Sequence, residues 1–156
     1  NPFFSVMKKV EIIFASALLL SLIFRVTAHK EVAIMFIISI LALLILYTFL
    51  GFALFNGIRF RNIFISQSYT AIKPLFLIAG IVHGLTITLL LVSFLFRIQH
   101  WVYGTLMMTI SSVILALFLI ISFFKMQQGS TNPFYKESLT RSGYYLLVVA
   151  GNVAFL

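Results

Sequence analysis

"VAIMFIISILALLILYTFLGFALFNGI", residues 32–58, contains no Asp, Glu, Lys or Arg. A helix needs about 20 mostly apolar residues to cross a bilayer, and this run exceeds that length. Two further runs behave alike. Residues 74–96 hold a single titratable side chain, His83, and residues 101–124 carry no charge. Each run should be helical, because lipid offers no partner to an unpaired backbone group.

The flanking runs are weaker. Only residues 12–24 lie between Glu11 and Arg25, yet they can cross if Lys8, Lys9 and Arg25 extend toward the headgroups. A last run begins near Ser142 and continues to Leu156. The expectation is an all-α, polytopic membrane protein with at least four complete spans plus a truncated fifth. The first residue is Asn and the last residues continue an apolar run, so a portion of a longer protein is expected.

Composition supports lipid as the solvent. Of 156 residues, 62% are hydrophobic and 9% charged, against roughly 45–50% and 25% in soluble domains. There is no Cys, and the carboxylates are Glu11, Glu31 and Glu137. That scarcity argues against acid–base catalysis, disulfides and a metal site; no metal or other cofactor is expected. The net charge of +8 does not imply nucleic acid, because the basic residues sit at the ends of apolar runs. There they set topology and meet anionic lipid.

Lys and Arg divide unevenly. Lys8, Lys9, Arg59, Arg61, Lys73, Lys125, Lys136 and Arg141 fall on one side, and Arg25, Lys30 and Arg97 on the other. The first side should be cytoplasmic, together with the chain preceding residue 8. The links near 26–31 and 97–101 are short and face outward; those at 59–72 and 125–141 are longer and face inward. Within the latter, "QQGSTNP" carries turn residues.

A repeat shows through this pattern. "LLSLIFRV" (19–26) aligns with "LVSFLFRI" (91–98), and Asn-x-Phe entries recur at residues 1, 62 and 132. The chain divides into a first hairpin (1–58), a second (59–125, with linker 59–72) and a linker with the start of a third (126–156). Units with an even number of spans keep their orientation, which gives parallel repeats.

Few residues can carry chemistry. His83 lies mid-span, where an ionisable group marks either a transport path or a neutral ring bonded to a hydroxyl or carbonyl. Gly80 and Gly84 flank it at the spacing that lets helices approach closely. At the tips, Arg25, His29, Arg97, His100 and Trp101 suit interfacial anchoring. They also suit contact with a partner, through an Arg–carboxylate pair or a titrating His. Glu11 is expected to pair with Lys8 or Lys9, and Tyr47 and Asn56 to serve packing.

The tip "LFRIQHWVYG" (95–104) resembles the hairpin of the gliding-motility GldL family, the membrane subunit of the motor linked to type 9 secretion. Leu95, Phe96, Arg97, Ile98, His100, Trp101 and Gly104 carry the match. It covers about one hairpin; the first hairpin agrees only through Phe24, Arg25 and His29. The resemblance implies a bacterial inner membrane. The family has Lys and Pro where this tip has Arg97 and no Pro. Its ion-coupling carboxylate has no counterpart in residues 32–58 or 101–124.

The expected function is a non-catalytic membrane subunit that packs against other membrane proteins, with homo-oligomers as one form. The alternative is a small transporter or channel with a polar path near His83. A lipid- or quinone-acting enzyme is a third, weaker class.

Overall fold

The computed structural model of the chain describes residues 6–24 and 29–155, with Ala154 and Phe155 as backbone alone. The described residues form five α-helices: α1 (Val6–Ile23), α2 (Lys30–Phe55), α3 (Pro74–Ile98), α4 (Gly104–Gln127) and α5 (Pro133–Phe155). Two 3-10 turns, Phe60–Asn62 and Ser66–Tyr69, lie between α2 and α3. Helices adjacent in sequence are neighbours in space, with α2 against α3 the most extensive pair. α5 packs on α4 and also touches α1, α2 and α3, so it meets every other helix.

Helices α2, α3 and α4 are long and apolar enough to cross a membrane. That is three helices of spanning length and composition among the described residues, not the four complete spans expected from the sequence. The reason lies in α1, whose first turns hold Lys8, Lys9 and Glu11. At about 1.5 Å per residue, its charge-free part, residues 12–23, is about 18 Å long, short of the roughly 30 Å hydrocarbon core. α5 also departs from expectation. It starts at Pro133 rather than near Ser142, and takes in Lys136, Glu137 and Arg141.

Capping explains that early start. The Asn132 Oδ1 accepts the Phe134 backbone N–H at 2.9 Å, and Pro133 occupies the first helical position. The ends of α2, α3 and α4 share one device. After each, a residue turns left-handed and the next N–H reaches back into the helix: Ile58 to Ala53 at 2.9 Å, Trp101 to Phe96 at 2.8 Å and Ser130 to Lys125 at 3.1 Å. The left-handed residues are Gly57 (φ 71°), His100 (φ 55°) and Gly129 (φ 85°). Two are glycine, which adopts this conformation without steric cost, and one is not.

The α2–α3 seam is tight because three glycines meet there. A Cβ on Gly84 would stand 2.7 Å from the Tyr47 carbonyl oxygen, and one on Gly51 would stand 3.1 Å from the Gly84 Cα. Gly80 faces Phe52 and Asn56, each 3.1 Å from where its Cβ would be. Close approach also brings the Thr48 and Thr88 hydroxyls to 3.0 Å, and lets Asn56 donate to the Phe76 carbonyl at 3.0 Å. Away from the seam, Leu41, Ile45 and Phe49 on α2 and Val113, Leu117 and Ile121 on α4 are exposed. Such a surface requires lipid or protein around it.

Gly84→Ala should lower stability by about 1–3 kcal/mol, since backbone atoms block the new methyl group. Gly143→Ala, whose methyl would meet only a flexible leucine tip at 3.8 Å, should change it much less. Thermal unfolding followed by circular dichroism checks the difference; equal losses would place the seam elsewhere.

Candidate functional site

The strongest concentration of polar groups joins α1, α2 and α5 at the basic end of the bundle. Glu11 is buried on α1 and Arg141 is buried on α5. The Arg141 Nε donates to Glu11 Oε1 at 2.6 Å, and its Nη2 donates to Oε2 at 2.7 Å. This two-pronged geometry is the strong form of a charge-assisted pair. The remaining Nη1 donates to Glu137 Oε2 at 2.6 Å, one turn earlier on α5. Lys8 completes the row by pairing with Glu137 Oε1.

Tyrosines extend the network inward. The Tyr47 hydroxyl of α2 donates to Glu11 Oε1, and the Tyr145 hydroxyl donates to Tyr47 at 2.8 Å. The Tyr144 hydroxyl donates to the Ala15 carbonyl of α1. The Arg141 guanidinium also lies over the Phe55 ring, 4.9 Å from its centre. Burial alone would raise the Glu137 carboxyl, but Arg141 and Lys8 hold it below its ordinary value. Beside this network lies an open-sided cavity of about 650 Å³ between α1 and α5.

Sequence reasoning missed this site. It paired Glu11 with a neighbouring lysine; the structure pairs it with Arg141, and Lys8 turns to Glu137 instead. Tyr47, expected to serve packing, bonds the buried carboxylate. The available signal was scarcity: with three carboxylates in the chain, one placed inside an apolar helix needs a cation.

His83 occupies a second polar site. It is fully buried, and its ring is sandwiched between Phe55 and Phe118, with ring centres 4.1 and 4.2 Å away. Nδ1 lies 3.1 Å from the Ser138 hydroxyl, and Nε2 lies 3.0 Å from the Ser142 hydroxyl, both on α5. Both faces and both nitrogens are therefore occupied, which is the geometry of a helix clamp. Gly80 and Gly84 set how deeply this part of α3 sits against α2.

The tips come together only in part. Arg25 lies outside the described residues. His29 is exposed, and its carbonyl accepts the Ala33 N–H at the start of α2. In the second tip Arg97 is half-buried and directs Nη1 at the Met108 sulfur, 3.3 Å away. Trp101 is exposed and stands edge-on to Phe96. Arg97, His100, Trp101 and Thr105 line a recess of about 290 Å³. Among the described residues, no group of three His, Asp or Glu side chains could hold a metal.

Fold and site together define a multi-pass helical membrane protein whose helices are tied by buried polar bonds. No family model, curated protein or solved structure matches the chain.

Arg141→Met should destabilise the bundle by about 3–5 kcal/mol, because it strands the Glu11 charge. Combining it with Glu11→Leu should recover much of that loss. A double-mutant cycle, read by unfolding in mild detergent, measures the coupling. Additive losses would mean the two residues act independently.

Proposed function

We propose that the chain is a non-catalytic integral membrane subunit of a larger complex in a bacterial inner membrane. Its basic end is cytoplasmic, and the tip at residues 97–104 meets a periplasmic partner. The observation that carries this reading is the backbone of that tip. Where α2 and α4 end on Gly57 and Gly129, α3 ends on His100 in the same left-handed conformation. Tyr103, just before α4, is left-handed too (φ 72°). A left-handed residue other than glycine costs roughly 1–2 kcal/mol, so a tip that only had to turn is better served by glycine. Unfavourable backbone of this kind concentrates at functional contacts.

The exposed Trp101 and Tyr103 side chains supply amphipathic contact area beside the strained residues. The interior supports the non-catalytic side of the reading. Glu11, Arg141 and His83 are spent on one another or on hydroxyls, so none is poised for proton transfer to a substrate. The resemblance of the tip to the GldL family supports a membrane-complex setting. It lends nothing to an ion-driven motor, because residues 32–58 and 101–124 lack a carboxylate. A transport path at His83 finds no support in a ring closed on both faces.

His100→Gly should stabilise the isolated chain by up to about 1 kcal/mol, while weakening its association with the partner. Trp101→Ala should release the partner and leave the fold intact. Native mass spectrometry after gentle solubilisation reads both effects. A wild-type chain that runs alone, or an association unaffected by both substitutions, would overturn the proposal.

A further inference from the structure

We propose that the cleft between α1 and α5 binds an anionic phospholipid drawn from the surrounding leaflet. This goes beyond the subunit reading and needs only that the bundle sits in a membrane. The cleft is graded along its length. Lys8 and Lys136 stand at one end near the Glu11–Arg141 pair, and Ile12, Ser16, Leu19 and Leu20 of α1 continue it with mostly apolar surface. From Lys8 to Leu20 is about 18 Å along the helix, close to the roughly 15 Å depth of one hydrocarbon leaflet. A cationic mouth over an apolar trough of that length matches an acyl chain beneath a charged headgroup.

Volume and charge narrow the occupant. The cavity of about 650 Å³ falls within the roughly 300–1,000 Å³ of small-molecule sites. Three cations (Lys8, Lys136 and Arg141) line it, against two carboxylates. Both carboxylates are engaged: Glu11 by Arg141 and Tyr47, and Glu137 by Arg141 and Lys8. Lys136 is exposed at the rim and leaves the mouth with an excess of positive charge. An anionic headgroup meets that excess; a zwitterionic one does so only in part.

The test uses the full chain in phosphatidylcholine vesicles carrying a trace of acyl-spin-labelled lipid. Electron paramagnetic resonance reports the motionally restricted fraction. Labelled phosphatidylglycerol should be preferred over labelled phosphatidylcholine by about fivefold, the scale of one surface lysine. Lys136→Glu should abolish the preference, and Ser16→Trp, which fills the trough from an exposed position, should lower the restricted fraction of both lipids. Lys136→Gln gives the same contrast if the charge reversal impairs folding.

Equal restriction of the two lipids would overturn the proposal. So would a preference that survives both substitutions, which places the lipid elsewhere. Displacement of the label by inorganic phosphate would show a headgroup site without a chain site. Disulfide-linked dimers of Ser16→Cys would show a second copy of the chain in the cleft. Either result would also overturn it.

Discussion

Glu11 and Arg141 lie 130 residues apart, on the first and last helices of the bundle, and neutralise each other in its interior. Lipid and packed side chains give an isolated charge no solvation, so each tolerates burial only because the other is present. The pair therefore fixes more than one contact. It turns the polar face of α5 inward, draws α1 against it, and brings Tyr47 of α2 into the same hydrogen-bonded row. Two turns of α5 serve two clamps: Ser138 and Ser142 hold His83 of α3, and Glu137 and Arg141 hold α1. α5 thereby becomes the helix that closes the bundle.

The sequence reveals the parts of this fold that follow from local solvation. A run such as 32–58, uncharged over 27 residues, has no stable state except a buried or membrane helix. Short links between such runs make them neighbours. The same reasoning overcounts the spans, because it treats the basic end of α1 as able to reach toward the headgroups. In the structure that end folds against α5 and keeps its carboxylate inside the bundle. The start of α5 was legible in another signal: Asn132 followed by Pro133 is a capping pair, although hydropathy rises only at Ser142.

The candidate site was harder to read for a physical reason. Local spacing favours a Glu11–lysine pair one turn away, and only the rotation of α5 about its axis presents Arg141 instead. Rotation depends on every packed face at once, so one helix does not reveal it. The Gly80–Gly84 spacing has the same limit: it permits a close approach without naming α2 as the helix approached. His83 illustrates the converse. Its depth invites a functional reading, but whether the ring faces water or two phenyl rings is decided by Phe55 and Phe118 on other helices.

Among the described residues, the proposed specific contacts with other molecules fall in two regions. One is the strained tip around His100 and Tyr103; the other is the graded cleft beside the ion pair. The cleft depends on α5 being held where the Glu11–Arg141 pair holds it. The chain has no cysteine, so spin labels can be placed singly at Ile12 and Thr140, which line the cleft from α1 and α5. Double electron–electron resonance in lipid nanodiscs should give one narrow distance distribution, broadened and lengthened by Arg141→Met. A distribution already broad in the otherwise unaltered chain, or unchanged by that substitution, would contradict the account.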